Sequence, residues 1–419
     1  MIPTGDAEVI LIGNELLKGE RIDAHLSWLA LALRRYGLRV EQARVIRDAE
    51  DVIADAVRSC LGSVRVVVVC GGLGPTPDDV TREGVARGVG RGLEFDPDSW
   101  EHITAFFAER GREVTENNRR QAHFPAGAAV LGNMRGTAPG FAVEENGTHV
   151  FALPGPPHEM QRMFERDVSP RLAAMLKRRP LRVETFRTFG VGESQLMEMF
   201  GAILEGLKAW EVSSLPWVTG VDIILTERRE AGDADLDREA GRVERALRDG
   251  LGTKLYEHGE RSLAAVVGDA LTRRRETLAV AESLTGGMIS TALTDIPGSS
   301  AYLLADLVVY GNASKSEFAG VDPAAIAAEG AVSETVCRQM AEGARRRAGA
   351  TWALSTTGIA GPDGATDEKP LGLTWLGLAG DGGCEVKRRV FAGERGMVRG
   401  KAAFGALWML YDRLMRKDD

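Results

Sequence analysis

The chain carries only four cysteines, Cys60, Cys70, Cys337 and Cys384, and none belongs to a C-x-x-C pair. That spacing excludes a zinc site and the disulfide framework of a small secreted domain, and it fits reduced thiols in the cytoplasm. No stretch of about 18 apolar residues occurs. The N-terminal MIPTGDAEVILIG has no basic leading segment and brings Asp6 and Glu8 into its start, so neither a membrane partner nor an export signal is expected. A positive field is also missing: 52 Lys and Arg face 60 Asp and Glu, for a net charge of −8. Nothing in that balance drives phosphate-backbone binding, and direct contact with nucleic acid is not expected. The chain has no internal repeat, low-complexity tract or Gly-X-Y period, which excludes solenoid and collagen-like architectures. What it has in excess is glycine, 50 residues of 419, against a usual share of about 7%, and the surplus should sit in turns and ligand-facing loops. Hydrophobic residues at 44% and charged residues at 27% are ordinary globular values, and the length argues for two or three cores.

Hydrophobic patterning predicts an α/β fold in three parts: residues 1–165, 166–256 and 257–419. In the first, AEVILIG, LRVEQARVI and RVVVVC read as strands separated by the helices DAHLSWLALALRRYG and DVIADAVRSCLG, a mostly parallel sheet with helices on both faces. A long helix over about 157–178 leads to a small α+β module with a strand pair in EVSSLPWVTGVDIILTE and a charged helix, DADLDREAGRVERALRDGL, whose polar side is most simply solvated. That module shows no chemical constellation and is expected to space the flanking domains and aid self-association. The last part reads as a second α/β domain. TLAVAES, LLADLVVY and TWALSTTG are strands, LTGGMISTALTD is a helix, LGLTWLGLAG and CEVKRRVF are an antiparallel pair, and GMVRGKAAFGALWMLYDRLMRK is a terminal helix.

Two loop clusters carry the chemistry. GGLGPTPDDVT runs from a buried strand into a helix, where backbone N–H groups and the helix dipole suit an anion such as phosphate. It matches neither the P-loop nor the dinucleotide fingerprint. Asp78 and Asp79 at its end also suit helix capping. The loops GNELLKGERIDAH, with Glu15 and Asp23, NMRGTAPGF and LPGPPHEM repeat the small-residue pattern of ligand loops. Further on, AESLTGG places Ser283 at a strand end, with Thr285, Gly286 and Gly287 opening a helix in a second anion-binding geometry or as a simple N-cap. VVYGNASKSEF sets Tyr310 and Lys315 five residues apart, and STTGIAGPDG adds Thr357. A hydroxyl, a lysine and a tyrosine can form a nucleophile-and-base set provided the lysine is buried enough to lose its proton. Backbone N–H groups near Gly298, in IPGSS, are expected to form the oxyanion hole.

GGLGPTPDDVT, NRRQAHFP, GTAPGF and LPGPPHEM resemble the domain shared by molybdopterin-adenylylating proteins and the N-terminal half of the CinA (competence/damage-inducible) family. AESLTGG, IPGSSAYLLADLVVYGNASK, GAVSE, TTGIAGPDG and FAGERGMVRGKA are similar to the C-terminal CinA domain over almost its whole length. For the N-terminal domain the resemblance implies a metal-dependent pyrophosphatase that splits ADP-ribose into AMP and ribose 5-phosphate. Asp79, Glu15 and Asp23 would then hold a divalent cation such as Mg2+, Gly72, Gly74 and Thr76 would touch phosphate, and Thr137 and Gly155 would line the nucleotide pocket. The family's GTELL…DTN reads GNELL…DAH here, with Asn14 for Thr and His25 for Asn. For the C-terminal domain it implies a deamidase that converts nicotinamide mononucleotide to nicotinic acid mononucleotide and ammonia without a cofactor. Ser283 would be nucleophile, Lys315 base, Tyr310 its partner, Thr357 a substrate-positioning hydroxyl and Arg395 a phosphate clamp, with Ser300 a competing nucleophile or donor. A homodimer handling small-molecule nucleotides is the implied whole. The alternatives are an N-terminal pterin-nucleotide transferase or non-catalytic sensor, and an interaction protein for DNA uptake or recombination.

Overall fold

The computed structural model describes residues 3–177, 179–228 and 231–416, and the expected helix ends at 178 and 417 fall outside them. The chain divides into two compact units, Met1–Leu181 and Arg182–Asp419. In the first, strands β1 (Gly5–Ile12), β2 (Val40–Ile46) and β3 (Val64–Cys70) precede a two-stranded ribbon of β4 (Leu93–Phe95) and β5 (His123–Pro125). Three more follow, β6 (Ala129–Leu131), β7 (Gly140–Glu145) and β8 (Thr148–Leu153). The main sheet has the order β2-β1-β3-β8-β7-β6, with β2, β1, β3 and β8 parallel and β7 and β6 antiparallel. The period of two in β3 explains its central place. Val66 and Val68 pack with Leu29 and Leu33 of helix Leu26–Arg34, while Val67 and Val69 pack with Ile53 and Val57 of helix Glu50–Cys60 on the opposite face. Each fully buried valine contributes about 1.5–3 kcal/mol. The helix expected from residue 157 is present, but a π-turn over Phe164–Val168 interrupts it, because Pro170 has no N–H to offer the preceding turn.

The second unit contains two sheets. Strands β9 (Val183–Thr188), β10 (Trp210–Trp217), β11 (Gly220–Glu227) and β12 (Leu255–His258) form an antiparallel sheet in the order β10-β11-β9-β12. Helices Glu193–Glu205 and Asp233–Leu251 share its core, the second through Leu236, Val243 and Leu247 while charged residues fill its outer face. Strands β13 (Leu278–Glu282), β14 (Leu303–Val308), β15 (Trp352–Gly358), β16 (Leu373–Gly380) and β17 (Gly383–Val390) form the other sheet, ordered β14-β13-β15-β16-β17. The first three are parallel and the last two return antiparallel. Helix Arg395–Met415 buries Val398, Ala402, Ala406, Leu410 and Leu414 at helical spacing in the core of this sheet. The four cysteines are free thiols. Among the described residues no helix is long and apolar enough to cross a membrane.

Candidate active sites

Both clusters of ligand loops gather at the carboxyl ends of parallel strands, where open α/β sheets leave a crevice. In the first unit a cavity of about 440 Å³ lies beyond β1, β3 and β8 and is lined by Glu15, Gly72, Gly74, Asp79, Thr137 and Gly155, among others. The loop after β3 is tightly built. A side chain on Gly72, at φ +61°, would meet the Thr81 hydroxyl at 2.3 Å, and one on Gly74 would meet Asp79 Oδ2 at 2.5 Å. Asp79 does not cap the next helix, which begins at Thr81 with Val80 as its N-cap. Its Oδ2 instead accepts the Thr76 N–H at 2.8 Å and the Thr76 hydroxyl, closing a turn. Thr76 is exposed and occupied in this way. Arg82, almost fully buried, donates to the Leu73 carbonyl at 2.7 Å, and desolvation brings its pKa down to about 10. Arg120 holds the Thr76 carbonyl at 3.1 Å and the Asp79 carbonyl at 3.3 Å. Gln121 bonds Thr137 Oγ1 at 3.3 Å.

Among the described residues no three His, Cys, Asp or Glu side chains are gathered as a metal-binding group, and Asp23 and Asp79 each have other partners close by. Asp23 accepts the backbone N–H groups of His25 and Leu26 at 2.9 and 3.0 Å and so holds the chain as it enters helix Leu26–Arg34. Burial raises its pKa, but those two bonds and His25 outweigh burial and leave it lowered. His25 is no surface histidine. Its Nε2 lies 2.6 Å from the Gly155 carbonyl and its Nδ1 3.1 Å from Asp23 Oδ1, so it ties two of the ligand loops together. Asp48, unnoticed in sequence, lines the same cavity and accepts the Asn14 N–H at 2.7 Å. Its pKa is raised by burial and by the neighbouring charges of Glu15 and Asp78.

In the second unit Ser283 follows β13, and its N–H donates to the Thr356 carbonyl at 3.0 Å. Lys315 lies on helix Asn312–Ala319 after β14 and is 1% exposed. Its Nζ donates to the carbonyls of Val309 at 2.9 Å and Tyr310 at 3.0 Å, and desolvation lowers its pKa. In its neutral form the amine would give both hydrogens to these carbonyls and keep its lone pair free. The Val309 N–H donates to the Glu282 carbonyl at 2.8 Å, which sets the Lys315 segment beside the residue preceding Ser283. Ser283 and Lys315 make no direct hydrogen bond with each other among the described residues. Tyr310 reaches the lysine through its carbonyl; its exposed hydroxyl instead accepts from Arg395 at 3.2 Å. Arg395 also donates to the Gly361 carbonyl at 2.7 Å. The buried Thr285 and Thr356 hydroxyls pair at 2.7 Å, and the Thr357 hydroxyl donates to the Ala331 carbonyl at 2.8 Å.

Two expectations for this cluster are corrected. The helix after Ser283 begins only at Met288, and its N-terminal N–H groups are already occupied. Glu282, fully buried, accepts from Gly287 at 3.0 Å and from Ile289 and Ser290 at 3.1 Å each, so the anion at this helix end is the protein's own carboxylate. Gly298 and Ser300 precede β14 and therefore sit at the amino end of the sheet. Ser283 leaves the carboxyl end of the parallel neighbour β13, roughly 20 Å away at about 3.3 Å per residue. Within one chain, neither reaches Lys315. Sequence reasoning also missed Arg399, which donates to the carbonyls of Leu284 at 3.0 Å and Thr285 at 2.9 Å and fixes the loop from the outside. The only sequence signal was its place in GMVRGKA, one of the family-like segments.

Known proteins show the same bipartite build. Residues 8–174 match the family described as "Probable molybdopterin binding domain" and residues 260–414 the "CinA C-terminal domain". A CinA-like protein of Solibacter usitatus is 39% identical over 415 residues, covering 98% of this chain and 99% of that one. A putative competence-damage inducible protein of Symbiobacterium thermophilum is 40% identical over 416 residues, covering 96% and 97%. The crystal structure of the competence/damage inducible protein CihA from Agrobacterium tumefaciens is 38% identical over 36% of this chain and 92% of that one, at a TM-score of 0.35. Since relatives align from one site cluster through the other over nearly their whole length, the chain belongs to the CinA family and carries a molybdopterin-binding-like N-terminal domain.

Proposed function

We propose that the second unit hydrolyses the carboxamide of nicotinamide mononucleotide to nicotinic acid mononucleotide and ammonia. The observation that carries this reading is the buried Lys315 amine, whose Nζ donates to the Val309 and Tyr310 carbonyls in the segment paired with the strand that leads into Ser283. The Lys315 lone pair takes the Ser283 proton as Oγ bonds to the amide carbon and the carbonyl π pair moves onto oxygen. The N–H groups of Leu284 and Thr285, which donate to no acceptor among the described residues, are the donors for that oxyanion, in place of those near Gly298. The C–N bond then breaks, and the protonated lysine returns its proton to the leaving nitrogen, releasing ammonia and an ester on Ser283. Water attacks the ester, again giving a proton to Lys315, and the acid leaves as Oγ recovers its hydrogen. Arg395, exposed and donating to the Tyr310 hydroxyl, suits the substrate phosphate. Incubating the protein with nicotinamide mononucleotide should give the acid and ammonia, and Ser283→Ala should abolish this while leaving the fold intact; full activity in that variant refutes the nucleophile.

For the first unit we propose ADP-ribose as the ligand of the crevice, with AMP and ribose 5-phosphate as products. The small-residue loops and the N–H-rich turn after β3 support a diphosphate there. Incubation with ADP-ribose should release AMP, and Ser283→Ala should leave that release unchanged. A protein that binds ADP-ribose without AMP release has a sensor in this half.

A further inference from the structure

A second cavity, of about 690 Å³ in the Arg182–Asp419 unit, has neither Ser283 nor Lys315 in its lining. Its walls come from the loop after β9, the turn between β10 and β11, the end of β17 and the middle of helix Arg395–Met415. On that helix Lys401, Gly405 and Trp408 line the cavity, and Arg395 does not. The volume is ordinary for a small-molecule site. One wall is aromatic and rigid: Phe189 stacks on Trp408 with centroids 4.3 Å apart and planes at 11°, and Trp217 meets Phe404 edge-on at 4.9 Å. Such faces accept a flat apolar ring.

Charge selects the other end of the ligand. Lys387, Arg389 and Lys401 line the cavity against one carboxylate, Glu193, which already accepts the Ser214 hydroxyl. Lys387 is paired with Glu385 at 3.0 Å. Lys401 donates only to the Ala392 carbonyl at 2.7 Å and Arg389 to the Arg388 carbonyl at 2.9 Å, and among the described residues neither has a carboxylate partner. Thr219, also in the lining, has a buried hydroxyl oxygen with no partner among the described residues. A cavity with stacked rings on one side and two carboxylate-free cations on another is complementary to an amphipathic anion.

We propose that this cavity binds a small aryl anion, a flat ring system bearing a phosphate or carboxylate, as a site separate from the Ser283 centre. The probe is 1-naphthyl phosphate, titrated calorimetrically into the full-length protein. Saturable binding is expected, weakened roughly tenfold or more in the Arg389→Ala/Lys401→Ala double variant, as loss of charge-assisted contacts requires. Val218→Trp, at a position 38% exposed on the cavity wall, should block it, and Arg395→Ala should leave it unchanged. Inorganic phosphate alone, lacking the ring, should compete weakly. Arg389 is exposed, so its loss leaves the core intact. The proposal is overturned by absent binding in the unmodified protein, by affinity that survives both cavity variants, or by binding lost in Arg395→Ala and kept in those variants.

Discussion

Ser283 and Lys315 could be picked out from sequence because each ends a readable segment, an apolar strand or the first turn of a short helix. Glu282 could not. A glutamate at the end of a buried strand reads as an ordinary boundary residue until the returning helix brings Gly287, Ile289 and Ser290 onto its carboxylate. Replacing it with alanine leaves three N–H groups without an acceptor and frees the loop that carries the proposed nucleophile. Glu282→Ala should therefore destabilise the protein by about 2–4 kcal/mol, measured by denaturant unfolding, and lower kcat more than KM. Lys315 allows a pH test. Burial lowers its folded pKa below the ordinary 10.5, so the folded protein holds that proton less tightly than the unfolded chain. The penalty is complete below the folded pKa and fades as pH rises from it toward 10.5. Lys315→Met should consequently be more stable than the unmodified protein near neutrality, with the gap closing at alkaline pH. A gap independent of pH would show that the amine is not desolvated.

At the scale of elements, strands and helices were legible from their periods, because a run such as RVVVVC has only one place in a parallel sheet. What the pattern could not show was which end of the sheet each loop reaches. Gly298 and Ser300 lie in a segment that resembles the family as closely as AESLTGG does, yet the crossover through helix Met288–Thr294 returns the chain to the amino end before β14 begins. Helix packing also helps to set the Lys315 position. Gly343, on helix Glu334–Ala348, passes so close to the end of the Lys315 helix that an added Cβ would fall 1.6 Å from the Ala319 carbonyl oxygen. Gly343→Ala must push those helices apart, at a cost of about 1–3 kcal/mol or more. It should lower the melting temperature and the deamidation rate together, whereas an unchanged rate would place the Lys315 helix outside the chemistry.

For the whole molecule, the family resemblance carried the division into a molybdopterin-binding-like half and a CinA C-terminal half, and both are matched by known proteins. Residue-level chemistry was less readable, since Asp48 and Arg399 act through contacts between segments distant in sequence. The two proposed reactions use different groups in separate cores. Their common feature is a place at the carboxyl ends of parallel strands, one among small-residue loops and the other beside a buried lysine. The most direct test of the central assignment is peptide mass mapping of the full-length protein after rapid acid quench during turnover of nicotinamide mononucleotide. The account predicts a nicotinoyl-mononucleotide ester on the peptide containing Ser283, absent in Ser283→Ala and strongly reduced in Lys315→Met. An acyl group on the peptide containing Ser300 instead, with Ser283 unmodified, would contradict it.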